Sequence, residues 1–393
     1  MRDYDYLIVG AGFAGLVLAE RLSTQTGATC LVVDRRRHLG GNAQDEYDCA
    51  GVLVHKYGPH YFRTNSVRIE NYLSQFTEWH PVDYRIQSFA RGRLWSFPIN
   101  LKTFEQLIGR ASSEDEFAGY LARHRVPIDN PANSEEVVVS QVGWELYELF
   151  FKHYTLKQWR RYPRELDPSV CGRIPVRTTR DDRYFSDRFQ ALPRDGYHRM
   201  FARMAAASPL ITIQLGVDYR EVRSQVRARH LIYTGAIDEY YDYCHGPLPY
   251  RSLRFEPESF TPAQLEGKRT AGVPRGFWQT AMQVNYPNDH EFTRIVEIKH
   301  ATGQVCEATT IVREYPDDYA PGKEAYYPIP VAEAQAQYRR YAERAEQETA
   351  VSFVGRLATY RYYNMDQVIG MALSEFDRLQ ARRLSDRIRP TTA

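Results

Sequence analysis

What the chain lacks narrows its class before any motif is read. Its five cysteines, at 30, 49, 171, 244 and 306, are odd in number, widely spaced and without a CxxC pair. That pattern argues against a disulfide frame or a zinc site and for a reducing compartment. No apolar run approaches the length of a membrane span, so no membrane insertion is expected. The first apolar strand starts within a few residues of Met1, which leaves no room for a signal peptide and predicts a cytoplasmic protein. An excess of one charge is missing too: 51 basic against 49 acidic residues give a net charge of +2, so attraction to nucleic acid is not expected.

What is present is a chain of 393 residues, long enough for two or three domains around a substantial core. Aromatics make up 13%, with 29 tyrosines, enough to line a cleft with stacking faces and hydroxyls as well as to clothe a surface.

The most informative stretch is the first. Tyr6 to Val9 reads as a buried strand that runs into Gly10-Ala11-Gly12-Phe13-Ala14-Gly15 and then a helix. Gly10 permits the tight bend, Gly12 lets the backbone approach a pyrophosphate, and Gly15 brings the helix close to the sheet. The free amides at the helix start then face an anion. A second apolar strand, Cys30 to Asp34, ends in a carboxylate suited to a ribose hydroxyl, with Arg35 next to it. The glycine pair in Leu39-Gly40-Gly41-Asn42 lets another loop lie against a cofactor. An acidic Asp34 in place of a basic residue suits FAD or NAD over a phosphorylated ribose.

Apolar spacing over residues 14 to 24 predicts the crossover helix of a βαβ unit. Gly51 to His60 reads as a strand leading into a rigid Gly-Pro loop, where His60 either satisfies backbone carbonyls or holds a group against a ring. A helix follows from Ser66 to about Phe76, then strands around Tyr84 to Phe97. Helices fill the chain through Leu121 and from Ser134 to Lys152. The last is a helix over Val142 to Lys152 that runs into the cluster Phe150-Phe151-Lys152-His153-Tyr154-Thr155 ending at Trp159. That cluster either stacks a planar base or packs as an ordinary helix. The loop Arg173 to Phe185 spaces its arginines either to clamp a diphosphate or to form a solvated surface.

Residues 189 to 235 return to alternating strand and helix, so the nucleotide domain is discontinuous. Strands at Gln279 to Asn285, Phe292 to Lys299 and Ala308 to Tyr315 suggest an antiparallel sheet carrying substrate-facing side chains. Helices near Ala332 to Thr349 and Met365 to Arg387 flank Val351 to Tyr362. The fold class expected is α/β: a discontinuous FAD-binding Rossmann-like domain (1–78, 188–240 and 331–393), a helical lobe (99–158) and a sheet that carries the substrate (79–98, 159–187 and 241–330).

Taken in order, these motifs resemble the prokaryotic UDP-galactopyranose mutases. The resemblance rests on the glycine turn, Leu39-Gly40-Gly41-Asn42, Tyr57-Gly58-Pro59-His60, Leu146-Tyr147-Glu148 with Phe150-Phe151-Lys152, Tyr154 to Trp159, Arg173-Ile174-Pro175-Val176-Arg177, Asp182 to Phe185, Thr293-Arg294, Tyr326-Tyr327-Pro328, and Phe353 to Arg356 with Thr359 to Tyr362. It implies a flavoenzyme that contracts a nucleotide-linked galactose from pyranose to furanose, the reduced flavin acting as nucleophile through N5. FAD would be held by Gly10, Gly12, Phe13, Ala14, Gly15, Asp34, Arg35, Gly40, Gly41, Asn42, Gly355 and Met365, with His60 and Arg356 beside its ring. NAD(P)H or another reductant would keep it reduced.

The resemblance further implies that Tyr154 stacks on uracil near Thr155 and Trp159, with Phe150 and Phe151 in the same wall. Arg173, on a mobile loop, and Arg294 would bridge the diphosphate, assisted by Tyr184, Tyr327 and Tyr362. Arg173, Arg294, His60 and Arg356 are the catalytic candidates, no metal is expected, and the partner is a UDP-linked sugar bound by a homodimer. Departures from the family lie at Arg63, where known members have a second histidine, at Asn364, and at Tyr84, where many have Asn. They surround the sugar and leave its identity open. An FAD oxidase of the amine-oxidase-like superfamily shares the glycine turn and the discontinuous architecture, and is the alternative; a binding module with structural FAD is a third reading.

Overall fold

The apolar run from Tyr6 to Val9 has few polar atoms on either face, as a strand covered on both sides by helices requires. In the computed structural model, which describes residues 2–268, 271–320 and 322–388, this run belongs to the central strand Arg2–Val9 of a five-stranded parallel sheet. The strand order is Ile211–Leu215, Cys30–Asp34, Arg2–Val9, Val226–Tyr233 and Val351–Phe353. Three widely separated parts of the chain therefore build one sheet. Residues 1, 269, 270, 321 and 389–393 of the expected segments lie outside the described residues.

The helix Phe13–Thr26 packs between this sheet and the helix Met365–Ile388. Leu16, Val17, Leu18, Ala19 and Leu22 are all buried, so the helix is apolar on more faces than the expected stripe. A buried carboxylate, Glu20, is tolerated there because Arg21 bonds it at 2.5 and 2.6 Å and the Tyr72 hydroxyl donates to it at 2.9 Å. The close approach of this helix depends on Gly15, where a Cβ would stand 1.9 Å from the Gly10 carbonyl oxygen. Gly12 is different. A Cβ there would meet no protein atom nearer than 3.7 Å.

The second sheet has seven strands in the order Tyr327–Pro328, Tyr250–Phe260, Thr309–Asp318, Arg294–Val296, Gln283–Asn285, Ile86–Ala90 and Arg93–Phe97. All its pairings are antiparallel except Gln283–Asn285 with Ile86–Ala90, which run parallel where the chain joins two distant segments. Trp79–Pro81, grouped by the sequence with the substrate sheet, instead pairs with Phe189–Pro193, which also pairs with Phe62–Thr64. Local pattern cannot encode such a distant pairing.

Four helices, Leu101–Ile108, Glu114–His124, Ser134–Phe150 and Lys152–Trp159, form the helical region. The helix expected over Val142 to Lys152 is the second half of Ser134–Phe150, which breaks at Gly143, and the aromatic and basic cluster starts a new helix after Phe151.

The Gly-Pro loop is fixed from beneath by a histidine. His55, at the end of the strand Leu53–His55, accepts the backbone N–H of His60 on Nδ1 at 3.0 Å, which requires that nitrogen to be unprotonated. Burial lowers the His55 pKa to about 4, and burial followed by the neighbouring His55 lowers that of His60 to about 3.

Two predictions follow from these contacts. Gly15→Ala should lower stability by more than ~3 kcal/mol, because no backbone shift short of moving the helix relieves the clash. Gly12→Ala should leave the thermal midpoint of the cofactor-free protein close to wild type, and comparable losses in both variants would refute the contrast. The second concerns acid. Below an unfolded histidine pKa of about 6.5 the unfolded chain binds protons that half-buried His60 refuses, so stability falls as the pH drops toward 4, by about 1.4 kcal/mol per unit for each such group. Urea unfolding of His60→Gln should give a shallower acid slope by about that amount, and identical slopes would contradict the assignment.

Candidate functional site

Two clefts meet at one group of side chains. The first follows from the glycine turn. The Ala11 amide donates to Asp34 Oδ2 at 2.8 Å and the Gly40 amide to the Ala11 carbonyl at 2.8 Å, so the second strand and the glycine pair are both drawn onto the turn. The helix that starts at Phe13 has no side-chain cap, which leaves its first amides pointing into the cleft.

This cleft encloses about 1510 Å³ of space open to solvent, lined by Gly10, Gly12, Phe13, Ala14, Asp34, Arg35, Gly40, Gly41, Asn42, His60, Gly355, Arg356 and Met365. Of the expected cofactor residues, Gly15 alone does not line it. Its role is the helix–turn approach described above. Sequence reading missed Arg36, Arg220 and Arg223, which line the same cleft. Arg36 is aimed by Asn42 Oδ1 at 2.9 Å and Glu324 at 2.7 Å, and lies over the Tyr57 ring at 4.5 Å. A pyrophosphate therefore finds uncapped helix amides and guanidinium groups together. With the room left at Gly12, these donors fit a dinucleotide such as FAD.

The second cleft encloses about 1860 Å³ and gathers Phe150, Phe151, Tyr154, Thr155, Trp159, Arg173, Tyr184, Arg294, Tyr327 and Tyr362. His60, Arg356 and Met365 line both clefts and mark their junction. His60 Nδ1 lies 2.8 Å from the Gly58 carbonyl, an acceptor, so Nδ1 carries the proton and Nε2 is left as an acceptor. His60 thus satisfies a backbone carbonyl, and it also lines both clefts.

Arg294 leaves the strand Arg294–Val296 directly opposite Glu314. Its Nε and Nη2 reach Glu314 Oε2 at 2.9 and 2.7 Å, and Glu314 is fully buried. Burial works against the Arg294 charge, but Glu314 together with the phenols of Tyr154, Tyr327 and Tyr84 more than compensates and the pKa rises. Arg173 lies over the Tyr362 ring at 4.6 Å. Arg173 is exposed at the cleft wall; loss of water around its guanidinium opposes its charge, and the Tyr362, Tyr184 and Tyr327 phenols more than compensate. Tyr362 responds in kind. Desolvation of its hydroxyl would raise its pKa, yet Arg173, Arg356 and Arg294 together lower it.

Arg356 is held by the carbonyls of Tyr326 at 3.2 Å and Tyr363 at 2.9 Å. Of these three guanidinium groups only Arg294 is paired with a buried carboxylate among the described residues, a balance that suits an anion. Thr155 and Trp159 are buried in the wall, with the Trp159 ring 6.1 Å from that of Tyr327. Phe150 and Phe151 pack on Phe97 at 5.5 and 5.9 Å and stiffen that wall from behind. Lys157 secures the helix by donating to the carbonyls of Tyr286, Asp289, His290 and Phe292, just ahead of Arg294.

The three departures noted in the sequence, Arg63, Tyr84 and Asn364, all line the second cleft. Arg63 pairs with Asp187 at 2.7 Å and lies 4.0 Å over Phe185. Glu314, Tyr61, Gln283 and Asn285 carried no assigned role. The strand Gln283–Asn285 did hold a signal, since two polar residues flank Val284 on one face and both are buried.

The chain matches the family described as UDP-galactopyranose mutase over residues 149–362 and the NAD(P)-binding Rossmann-like domain over residues 8–76. It is 37% identical over 381 residues to the Klebsiella pneumoniae protein named "Probable UDP-galactopyranose mutase", covering 96% of this chain and 95% of that one. It is 33% identical over 376 residues to the Escherichia coli dTDP-fucopyranose mutase, covering 93% and 96%. A crystal structure of reduced UDP-galactopyranose mutase superposes with a TM-score of 0.72 at 17% identity, covering 96% of each chain. A putrescine oxidase structure shares the fold with a TM-score of 0.58 at 13% identity, covering 97% and 99%. With a dinucleotide cleft opening onto a cationic, aromatic one, and relatives that match nearly end to end, the chain belongs to the UDP-galactopyranose mutase family of flavin-dependent isomerases.

Proposed function

We propose that this protein contracts the hexose of a nucleoside diphosphate sugar from pyranose to furanose, UDP-galactopyranose to UDP-galactofuranose or a close variant. It would act as a cytoplasmic homodimer, with FAD kept reduced by NAD(P)H or another reductant. The observation that carries the reading is the junction. His60, Arg356 and Met365 line both clefts, and Arg173 and Arg294 stand in the second cleft where a diphosphate leading to that junction would lie. Reduced FAD, when bound, supplies an electron-rich N5 as nucleophile toward the anomeric carbon.

The chain's own residues do the rest. Tyr154 gives uracil a face to stack on, with Thr155 and Trp159 closing the wall. The forks of Arg173 and Arg294 match diphosphate oxygens, and charge that grows as the UDP bond breaks is stabilised more in the transition state than in the ground state. Tyr184, Tyr327 and Tyr362 add hydroxyl donors. His60 stays neutral across the physiological range and offers Nε2 as an acceptor beside the reacting carbon. The 33% identity to a dTDP-fucopyranose mutase supports a second substrate reading, a dTDP-linked 6-deoxyhexose on the same scaffold. An amine-oxidase-like oxidoreductase is disfavoured by the arginine clamp, which a small hydride donor does not need.

Incubating the dithionite-reduced holoenzyme with UDP-galactopyranose and dTDP-fucopyranose, with products read by chromatography and NMR, should yield the furanose form of one or both without stoichiometric loss of reductant. An oxidised sugar formed one-for-one with consumed acceptor would defeat the proposal. Arg173→Ala and Arg294→Ala should each lower kcat/KM by ~2 to 4 kcal/mol, roughly 30- to 1,000-fold. Glu314→Gln keeps the size of the partner but removes its charge, and should lower kcat about 10-fold while binding of free UDP changes less. Equal losses in UDP binding and in kcat would show that Glu314 merely holds the fold.

A further inference from the structure

Among the described side-chain oxygens and nitrogens that are buried without a hydrogen-bond partner, one belongs to a residue that lines the second cleft: the hydroxyl of Tyr61. The others, on Gln190, Arg251, Gln279, Glu314 and Asp366, belong to residues that line neither of the two large clefts. The Tyr61 phenol cannot swing to find a partner. Its ring stacks on Tyr84 at 3.9 Å and 28°, and Tyr84 stacks in turn on Phe185 at 5.2 Å and 26°. The polar groups around this stack are satisfied by one another. Tyr84 donates to Gln283 Oε1 at 2.5 Å, Gln283 Nε2 donates to Asn285 Oδ1 at 2.8 Å, and Arg63 is held by Asp187 at 2.7 Å.

Buried polar groups in folded proteins are almost always paired, and a phenol both donates and accepts. Its place in the cleft says with what. Tyr61 follows His60 in the Gly-Pro loop and lines the second cleft with it, and His60 lies at the junction. The group that reaches this end is the sugar.

We propose that Tyr61 is a specificity-determining residue whose hydroxyl exchanges a hydrogen bond with one hydroxyl of the bound hexose, selecting sugars that carry it over those that lack it. The inference rests on the pyranose–furanose reading above. A site built to bond a substrate hydroxyl rejects the analogue without it, because the protein group is then left buried and unpaired.

The test compares wild type with Tyr61→Phe, which keeps the stacked ring and removes one oxygen. Binding of UDP-galactopyranose and its 2-, 3-, 4- and 6-deoxy counterparts is measured by calorimetry, and kcat/KM with the reduced holoenzyme. Wild type should bind one deoxy sugar roughly 10- to 100-fold more weakly than the parent, and that gap should vanish in Tyr61→Phe. The variant should also melt no lower than wild type, since it loses no bond within the protein. A gap of the same size in both proteins for every analogue, or a uniform loss of affinity for all five sugars, overturns the proposal. The expected binding pattern without turnover of any sugar would uphold the role of Tyr61 while ending the isomerase reading; turnover with unchanged gaps would do the reverse.

Discussion

The interaction on which the site depends is the ion pair between Arg294 and Glu314. A guanidinium withdrawn from water must keep its charge, or it has nothing to offer a diphosphate, and its own burial works against that charge. Glu314 supplies the counterweight from Oε2 at 2.9 and 2.7 Å. At an effective dielectric near 20 two unit charges 4 Å apart attract by about 4 kcal/mol, enough to offset partial desolvation. The pair is fixed by sheet register, since Arg294 and Glu314 are directly opposed on adjacent antiparallel strands. A slip of one residue would turn Arg294 to the other face of the sheet and leave Glu314 buried without it. The seven-stranded sheet therefore does more than carry side chains: its hydrogen-bond ladder sets where the Arg294 guanidinium stands in the cleft.

That ion pair also explains the balance at the junction. Among the described residues Arg173 and Arg356 form no ion pair with a carboxylate. Arg173 relies on the face and hydroxyl of Tyr362, and Arg356 on two backbone carbonyls. Tyr362 is exposed, and although desolvation of its hydroxyl would raise its pKa, their combined field with Arg294 lowers it, a sign that positive charge exceeds negative in this part of the cleft. Substrate phosphate, not protein, is the natural complement. The dinucleotide cleft shows another solution, in which Arg36 is anchored by Glu324 and Asn42 and aimed past them.

How much of this was legible in the sequence divides by range. The turn from Gly10 to Gly15 and the carboxylate at Asp34 are local, and spacing alone gave the strand, bend and helix. The same motif gave Gly12 to the cleft and Gly15 to helix packing, and in the structure Gly12 lines the cleft, whereas a Cβ at Gly15 would meet the Gly10 carbonyl. Arg173, Arg294 and Tyr362 came from family motifs, because nothing in periodicity brings residues from three distant segments together. Glu314 stood in a strand with no visible purpose, since its meaning is its cross-strand neighbour. Helix phase failed at Phe151 for a similar reason. The cluster from Tyr154 to Trp159 looked like the end of one helix, but Gly143 and Phe151 interrupt the axis and give the cluster a helix of its own.

The two ends of the second cleft obey different rules, and this bears on how such a scaffold changes substrate. On the proposed reaction, charge develops on the departing diphosphate whichever hexose is attached, so Arg173, Arg294 and Glu314 would answer to the reaction and not to the sugar. The sugar end is built from neutral and paired groups, Tyr84 with Gln283 and Asn285, and Arg63 with Asp187. Those pairs satisfy one another, so exchanging a member alters shape and hydrogen bonding without disturbing the clamp. Relatives named for UDP-galactopyranose and for dTDP-fucopyranose stand at 37% and 33% identity, both nearly end to end, which suits a cleft whose chemistry is held in its strands and whose selectivity lies in a few side chains around Tyr61 and Tyr84. Overall identity therefore cannot rank the two sugars; the hydrogen bonds at that end decide between them.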